Sequence, residues 1–511
     1  MTVVPPSLRA VGLLAALAGM KLLIPWIADF VSGYGIFRDE YYYLACGQRL
    51  DFGYVDHPPL IALVAALTHT VLGDSLFALH LLPTLAGAGM VVLTGLMAWE
   101  LGGGRFAQAL AGLIVVVAPI YWVVNGFLST IPFDHFFFVL LAYLVIRLVK
   151  SDDPRWWPAI GLVIGLGLEN KHNFLFLTAG VVAGILLTAQ RRWLRNRWFW
   201  GGVAVAMLLA LPHFLWQAQH GWPLLEFARN AGSKNVGVDV LGFVGQQVVV
   251  VHPLTLPIWG AGLVYYLRGA GSVYRILGLM YLIPALILLA TGAARADYLT
   301  PTYPMLFAAG AVVTEQWLAR RRSAWARPVL AGGLLLSGAA LAPFFVAILP
   351  AVWLVSYQQA LGISPPQQER GKTAEIPQYF ADRLGWEGLV ATVAEVYQSL
   401  PAADRAHTTI LTVNYGEAAA INYYGARYGL PAAVSGHNNY YLWGPGPAWG
   451  SAVISLGIPT ARLNGLFNEV RQAALITCDY CTSEENTLPV YVSRRPQLPI
   501  DQAWPLLKHY N

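Results

Sequence analysis

The sequence predicts an all-α membrane domain of about eleven transmembrane helices, followed by a soluble α/β domain. Of 511 residues, 57% are hydrophobic and 12% are charged, and mean hydropathy is +0.53. This apolar excess is larger than one soluble core requires. Apolar runs long enough to approach a membrane span succeed one another until Trp353, and beyond it none is long enough to span.

The apolar runs set the predicted spans. A helix needs about 20 residues to cross a hydrocarbon core of about 30 Å, and several of the runs are shorter, so their ends are approximate. The first run is too long for a signal-peptide core and lacks a convincing cleavage site, so it is taken as a span. The predicted spans are 8–28, 76–99, 107–124, 135–149, 158–168, 174–189, 198–216, 247–267, 274–292, 299–318 and 328–354.

The basic residues predict the orientation. Lys and Arg in short loops stay in the cytoplasm, and with the N-terminus inside, nearly every dense basic cluster falls on the cytoplasmic side. The opposite loops are richer in Asp, Glu, His, Asn and Tyr, and they are 29–75, 125–134, 169–173, 217–246 and 293–298. A net charge of +5 therefore reflects membrane topology, with membrane lipids as neighbours, and nucleic acid is not an expected partner.

The C-terminal domain is predicted over 355–511, outside the cytoplasm, with a transmembrane domain over 1–354. Strand-like apolar runs alternate with helix-like stretches such as Gly416–Tyr428 and Ala461–Gln472. The strand-like runs are Thr408–Val413, Ala432–Ser435, Ala452–Leu456, Ala473–Thr477 and Leu488–Val492.

The sequence has three cysteines. Cys46 is expected to pack in a core. Cys478 and Cys481 form a C-x-x-C pair that would tend to oxidise outside the cytoplasm. A structural disulfide is favoured over a redox centre, because no thioredoxin-like βαβ context precedes the pair.

The first external loop, 29–75, contains two acidic clusters. Asp39 and Glu40 follow the first span, and Asp56 precedes His57 and a Pro-Pro pair. Carboxylates this close to a span must face water, a cation or a substrate, because burial in lipid is costly. A solvated loop that caps the first helix is the alternative. The short apolar stretch after the Pro-Pro pair cannot span and is expected to lie along the interface as an amphipathic helix.

Basic side chains in two other external loops are candidate phosphate ligands. Lys171 and His172 lie between two short apolar runs, at apparent membrane depth, although snorkelling to the interface would also accommodate them. Arg295 precedes Asp297 and Tyr298. The planar guanidinium of arginine suits phosphate, but a structural pair of Arg295 with Asp297 is equally compatible with the sequence.

These motifs together resemble the protein O-mannosyltransferase and aminoarabinose transferase superfamily, which comprises glycosyltransferase family 39 and its relatives. The likeness covers most of residues 8–320, and its most specific part is the Asp-Glu and Pro-Pro-Leu pair within one external loop. The matching strings are Asp39-Glu40-x-x-Tyr43, Asp56-His57-Pro58-Pro59-Leu60, Lys171, His220-Gly221-Trp222-Pro223 and Arg295-Ala296-Asp297-Tyr298.

The resemblance implies a GT-C-type membrane glycosyltransferase of the bacterial inner membrane. Its donor would be a sugar on a polyprenyl phosphate such as undecaprenyl phosphate, and its acceptor a hydroxyl of a lipid, glycan or protein at the periplasmic or extracellular face. Asp39 would be the general base and Glu40 its neighbour, in an inverting displacement. Residues implied at the donor phosphate or sugar are Tyr43, His57, Lys171, His172, Arg295, Asp297 and Tyr298.

One position departs from the aminoarabinose transferases, in which a Glu-Lys pair precedes Pro-Pro, whereas this sequence has Asp56-His57. His57 would then contact phosphate, or Asp56 and His57 would help to bind a divalent metal. Cofactors are otherwise not specified by the sequence.

The C-terminal domain also looks like the external domain of bacterial members of the group. Its polar and aromatic side chains would bind an acceptor, or would equally well form a packed interface. The candidates are His437, Asn438, Tyr440 and Trp443.

Two other functions compete with transfer. A transporter or flippase would line a path with intramembrane charges, and a silent family member would bind lipid-linked glycan as a scaffold. The absence of inverted-repeat symmetry and of a nucleotide-binding motif argues against the first, and the presence of Asp39 and Glu40 argues against the second.

Overall fold

The structure is a computed structural model that describes residues 7–234, 239–291, 295–365, 367, 369, 373–446, 449 and 451–511. It contains two compact units, each made of three segments of chain. The first unit comprises Met1–Val31, Phe77–Leu215 and Gly237–Ile348. The second comprises Ser32–Leu76, Trp216–Val236 and Leu349–Asn511. Most of the predicted first external loop therefore packs with C-terminal residues. The sequence instead predicts this loop as part of the domain of residues 1–354.

The described secondary structure of the first unit consists of helices joined by turns and loops. Its α-helices are Leu8–Ser32, Leu76–Glu100, Arg105–Val117, Pro119–Val124, Thr130–Ser151, Trp157–Asn170, Phe174–Leu186, Arg197–Gln219, Val240–Val250, Leu256–Leu267, Arg275–Thr291, Tyr303–Arg320 and Ala326–Leu341. Its 3-10 helices are Pro154–Trp156, Ala189–Arg195, Pro253–Thr255, Gly269–Tyr274, Ala296–Tyr298, Thr300–Thr302 and Ala342–Phe344.

The predicted count of eleven spans is not confirmed. In the described parts of the chain, six helices are long and apolar enough to cross a membrane, or up to eight if each of two bent pairs forms one span. The predicted span 247–267 shows why the counts differ. Its chain bends by 94° between Val240–Val250 and Pro253–Leu267, where Pro253 cannot donate a helical hydrogen bond.

Glycines let several helices of this unit approach closely. A Cβ at Gly262 would overlap the Leu306 carbonyl, and one at Gly310 would overlap the Ile258 carbonyl. The helices Leu256–Leu267 and Tyr303–Arg320 therefore meet backbone to backbone, as small residues permit between membrane helices.

The second unit combines helices with a five-stranded sheet. Its α-helices are Arg38–Gly47, Leu60–Leu72, Pro223–Lys234, Ala351–Leu361, Gln378–Ala381, Trp386–Ser399, Ala402–Arg405, Tyr415–Tyr424, Asn438–Trp443, Thr460–Leu466 and Ile500–Leu507, with a 3-10 helix at Gly425–Tyr428. Its strands are β1 (Thr408–Thr412), β2 (Ala433–Ser435), β3 (Ala452–Leu456), β4 (Phe467–Thr477) and β5 (Thr487–Pro496).

The sheet has the order β2-β1-β3-β5-β4. Strand β1 runs parallel to β2 and β3, whereas β5 runs antiparallel to β3 and β4. Leu411 and Val453 are buried beneath Trp504 of the C-terminal helix. The predicted α/β character of the C-terminal residues is thus confirmed, in the form of a small mixed sheet.

The predicted helix Ala461–Gln472 is wrong in its second half. The helix ends at Leu466, and Phe467 begins β4, which pairs antiparallel with β5 as far as Thr477. Pairing with a neighbouring strand satisfies the backbone of this segment, so a tertiary contact overrides its local periodicity.

The short helix predicted after the Pro-Pro pair is present as Leu60–Leu72, and its place along the membrane interface stays a prediction. It buries Ile61 and Ala65, whereas Leu63 and Leu67 on another face are exposed. An apolar face left outside the packing of the unit is what a helix lying in a lipid interface needs.

One buried carboxyl helps to begin the helix Tyr415–Tyr424. The Asn414 side chain accepts a hydrogen bond from the Glu417 backbone N–H at 2.9 Å, and Glu417 Oε2 accepts from the Val413 N–H at 3.2 Å. This reciprocal arrangement caps the helix. Burial, together with the nearby Glu485, raises the pKa of Glu417 to about 8.

We expect Gly310→Val to destabilise the first unit by about 3 kcal/mol or more, because the new side chain would overlap the Ile258 backbone. Gly332→Val is the matched control, since a Cβ at Gly332 meets nothing within 4 Å. Thermal unfolding of the purified full chain in detergent would measure both variants. Equal midpoints for the two would contradict the close helix approach.

The free energy of unfolding is expected to fall as pH rises, and we expect this fall to be smaller in Glu417→Gln. The folded state holds the proton more tightly than the unfolded state, whose carboxyl has an ordinary value of 4.5. Stability from Glu417 is therefore complete below about pH 4.5 and is lost as pH rises through about 8. Thermal midpoints measured across this range would show a smaller decline for Glu417→Gln than for the unaltered chain, and parallel declines would refute the expectation.

Candidate active site

Asp39 lies in the first turn of the helix Arg38–Gly47. Its Oδ1 accepts a hydrogen bond from the Tyr415 hydroxyl at 2.9 Å and lies 3.2 Å from Arg38 Nε. Its side chain is 26% exposed. A carboxylate that is oriented by neighbours and still reaches solvent can approach an incoming hydroxyl.

Arg38 is a buried cation with three acidic neighbours. Besides Asp39, its guanidinium lies 3.6 Å from Asp382 Oδ1 and 3.9 Å from Glu369 Oε1. Burial opposes its charge, but Asp382 and the other neighbours outweigh this and raise the pKa of Arg38. A buried charge is tolerated only when it is paired in this way, so the guanidinium has little freedom to move.

Glu40 faces the start of its own helix. Its Oε2 accepts a hydrogen bond from the Phe37 backbone N–H at 2.7 Å, and its side chain is buried. This contact satisfies a donor that the first turn of a helix leaves unpaired. Glu40 therefore has a structural task, and its role beside Asp39 in catalysis stays a prediction.

His57 is buried and Asp56 is half-buried in an aromatic surrounding. Asp56 Oδ1 accepts from the Tyr42 hydroxyl at 2.8 Å. The His57 ring stacks on Tyr54 with centroids 4.6 Å apart and meets the edge of Tyr43 at 5.2 Å. Burial raises the pKa of Asp56 and lowers that of His57, and their mutual attraction offsets this only in part.

The predicted metal site at Asp56 and His57 does not fit these contacts. His57 Nδ1 lies 2.8 Å from the Pro58 carbonyl and therefore donates to it, and Nε2 faces Cys46 Sγ at 3.7 Å. Among all residues that the structure describes, no group of three His, Cys, Asp or Glu side chains could hold a metal ion. Because both imidazole nitrogens of His57 already have partners, Asp56 and His57 are poor candidates for metal ligands.

The predicted acceptor residues of the C-terminal domain are largely packed. His437 Nε2 contacts the Asn511 carbonyl at 2.9 Å, and Asn438 Oδ1 accepts from the Asn511 N–H at 3.2 Å. The Tyr440 hydroxyl accepts from Asn422 Nδ2 at 3.0 Å. Burial of His437, Asn438 and Tyr440 favours the packed-interface alternative.

Trp443 differs from these three residues because it is half-buried. Arg49 lies over its ring at 4.7 Å from the centroid, as a cation-π contact. Trp443 therefore remains the more accessible member of the predicted acceptor set.

In the first unit, the structure brings Lys171, Arg295, Asp297 and Tyr298 together. Lys171 Nζ lies 5.2 Å and Arg295 Cζ 5.5 Å from the centroid of the Tyr298 ring. Arg295 Nε donates to Asp297 Oδ1 at 3.0 Å, so the predicted structural pair is present. Burial opposes the charge of Asp297, but Arg295 and Lys171 outweigh it and lower the pKa of this carboxyl.

Asn173 and Asp134 lie beside the group formed by Lys171, Arg295, Asp297 and Tyr298. Asn173 Nδ2 lies 3.3 Å from the Tyr298 carbonyl and 3.4 Å from Asp134 Oδ2. His172 points elsewhere, with its Nε2 2.9 Å from His213 Nε2. One of these two nitrogens must carry a proton and the other must accept it. The structure therefore separates His172 from the contacts made by Lys171.

Sequence reasoning missed the residues that orient Asp39. Arg38 directly precedes the Asp39-Glu40 motif, and Tyr415 lies 376 positions away from Asp39. The Tyr415 ring also stacks on Tyr42, with centroids 4.5 Å apart. A polar Tyr-rich segment was visible in the sequence, but such a segment does not reveal which distant carboxylate it meets.

Comparison with known proteins gives relatives for part of the sequence. Residues 56–216 match the family model described as dolichyl-phosphate-mannose-protein mannosyltransferase. The lipid A galacturonosyltransferase RgtD of Rhizobium johnstonii is 26% identical over 224 residues, which are 43% of this chain and 47% of the relative. The match thus spans about half the length of that curated protein.

Solved structures match nearly the whole chain. ArnT from Cupriavidus metallidurans, bound to undecaprenyl phosphate, superposes with a TM-score of 0.56 at 13% identity, over 94% of this chain and 97% of ArnT. The oligosaccharyltransferase AglB from Archaeoglobus fulgidus, in complex with an inhibitory peptide and a dolichol-phosphate, gives 0.52 at 12% identity, over 88% and 69%. The chain therefore shares the fold of ArnT, which is the GT-C-type fold that the resemblance implied.

Proposed function

We propose that this protein transfers a sugar from a polyprenyl-phosphate donor to a hydroxyl acceptor at the extracytoplasmic face of a bacterial inner membrane. The observation that carries the proposal is Asp39, a partly exposed carboxylate held by Tyr415 and Arg38 in a chain with this fold. The N-terminus would be cytoplasmic, and residues 29–75 and 355–511 would lie outside the cytoplasm.

Asp39 would act as the general base. The Asp39 carboxylate accepts the proton of the acceptor hydroxyl while its oxygen forms a bond to the anomeric carbon. The bond from that carbon to the phosphate oxygen breaks, and its electron pair leaves with the polyprenyl phosphate. A single displacement of this kind inverts the anomeric centre.

Lys171 and Arg295 would supply the positive charge that stabilises the leaving phosphate. Lys171 and Arg295 flank the Tyr298 ring on partly exposed side chains. Cations placed where negative charge develops lower the barrier to its departure. Asp297 keeps Arg295 oriented through its hydrogen bond of 3.0 Å.

The similarity to a lipid A galacturonosyltransferase suggests which donor and acceptor to test first. We propose a uronic-acid-bearing polyprenyl phosphate as donor and a lipid A-like glycolipid as acceptor. Other polyprenyl-phosphate sugars and glycan or protein acceptors complete the panel.

We expect Asp39→Asn to lower kcat by about 10²-fold to 10⁴-fold, since the amide cannot accept the proton. Transfer of radiolabelled sugar from undecaprenyl-phosphate donors would be measured in membranes that contain equal amounts of each variant. Asp51→Asn is the matched control, because Asp51 lies in the same segment and its carboxylate accepts from Trp216 Nε1 at 2.8 Å and from the Phe52 N–H at 2.7 Å.

The outcomes of this assay separate the functions. Transfer that persists in Asp39→Asn would remove Asp39 from the role of base. A lack of transfer with every donor and acceptor of the panel would instead favour a transporter or a scaffold that binds lipid-linked glycan.

We expect Lys171→Met to raise the KM for the donor by about tenfold, because a charged contact to phosphate contributes about 1.5 to 3 kcal/mol. Binding of undecaprenyl phosphate to the purified chain gives a second readout that does not depend on turnover. Lys508→Met is the control, as Lys508 Nζ pairs with Glu226 at 2.6 Å. Equal donor affinity in the Lys171 and Lys508 variants would contradict the assignment.

A further inference from the structure

Cys478 and Cys481 form a disulfide in the connection between β4 and β5. Both sulfur atoms lie against Gly385, where a Cβ would come within 2.7 Å of Cys478 Sγ and 3.0 Å of Cys481 Sγ. Gly385 also has a φ of +81°, a conformation that favours glycine. The disulfide therefore packs directly on the backbone of the turn at Gly385, because glycine has no side chain that would lie between the sulfur atoms and this backbone.

This turn immediately follows residues that hold the start of the Asp39 helix. The Asp382 carbonyl accepts a hydrogen bond from the Arg38 backbone N–H at 3.0 Å, and the Arg383 carbonyl accepts from the Gly35 N–H at 3.1 Å. Arg383 Nε donates back to the Gly35 carbonyl at 2.8 Å. Three hydrogen bonds thus tie the segment 382–383 to the chain that leads into the helix.

The same segment contacts the side chain beside the proposed base. Asp382 Oδ1 lies 3.6 Å from Arg38 Nη1, and Arg38 Nε lies 3.2 Å from Asp39 Oδ1. The Asp382 carbonyl also accepts from Trp386 Nε1 at 2.9 Å, which links it to the helix that begins after Gly385. A displacement of the turn at Gly385 would therefore reach Arg38 through Asp382.

We propose that the Cys478–Cys481 disulfide helps to position Asp39. The disulfide acts through Gly385, Asp382 and Arg38. The inference rests on the proposed function of Asp39, but its mechanical part does not. The oxidised pair presents a fixed surface to the glycine turn. The protein would consequently reach full activity only after oxidation of this pair outside the cytoplasm.

Reduction changes that surface. Two electrons and two protons convert the disulfide into two thiols, while a dithiol reagent is itself oxidised to a disulfide. Two thiol sulfurs cannot approach each other as closely as bonded sulfurs, so at least one must move relative to Gly385. Loosening of the turn would follow, with greater freedom for Asp382 and Arg38.

Hydrogen–deuterium exchange of the full chain in lipid nanodiscs tests the mechanical part. After dithiothreitol treatment, with reduction of Cys478 and Cys481 verified by alkylation and mass measurement, we expect the Gly35 and Arg38 amides to exchange about tenfold faster. We also expect kcat for sugar transfer to fall by about fivefold with the donor KM unchanged, because the disturbed group acts on the acceptor.

Two variants control for general effects of the reagent. The double variant Cys478→Ser/Cys481→Ser should exchange rapidly at Gly35 and Arg38 without reagent and show no further change with it. Gly385→Ala should loosen the same amides with the disulfide intact. Its matched control is Gly362→Ala, which has a φ of +65° and nothing within 4 Å of a Cβ.

Unchanged exchange at Gly35 and Arg38 after verified reduction would overturn the proposal. Faster exchange with an unaltered kcat would also overturn it, since the disulfide would then be structural only. If the untreated protein transfers no sugar, the proposed function fails, whereas the exchange measurement still decides whether the disulfide restrains the helix that contains Asp39.

Discussion

The buried guanidinium of Arg38 is the interaction on which the candidate base depends. A charge removed from water must be paired, and three carboxylates from separate parts of the second unit meet this one. Asp39 is its neighbour in sequence, whereas Asp382 and Glu369 belong to the C-terminal residues. The pairing therefore joins the start of a helix in the first external loop to the segment that precedes the small sheet. Tyr415 adds a hydroxyl to the same carboxylate and so makes the C-terminal domain part of the surroundings of Asp39.

This arrangement gives the C-terminal residues a structural role beside the candidate base. The helix Arg38–Gly47 contains a proposed catalytic carboxylate but is only ten residues long, too short to be stable alone in water. Contacts with the C-terminal residues supply the packing that it lacks. The aromatic surroundings of His57 and the hydrogen bond from Tyr42 to Asp56 continue the same packing. Asp56 and His57, which resembled a metal or phosphate site in the sequence, thus help to pack the helix Arg38–Gly47.

The first unit follows a different constraint. Its helices approach through glycine, at Gly262 and Gly310 among other positions, and its polar side chains gather around Tyr298. Lys171 and Arg295 are 124 residues apart in the chain, yet both lie over that ring. Intramembrane or membrane-adjacent cations persist when a partner or a substrate compensates their charge. Asp297 provides part of this compensation, and a lipid-linked phosphate is the substrate proposed to provide the rest.

The sequence by itself determined the fold class, the two kinds of domain and the motif that contains Asp39, because hydropathy and short motifs depend on residues close together in the chain. It also indicated the cysteine pair, the interfacial helix and most strands of the sheet. Only the tertiary structure decided that Glu40 caps a helix, that residues 467–472 form a strand and that His57 is engaged by Pro58 and Cys46. Each of these depends on burial or on a partner distant in sequence, such as Tyr415 for Asp39, and local patterns contain no record of which distant groups will meet.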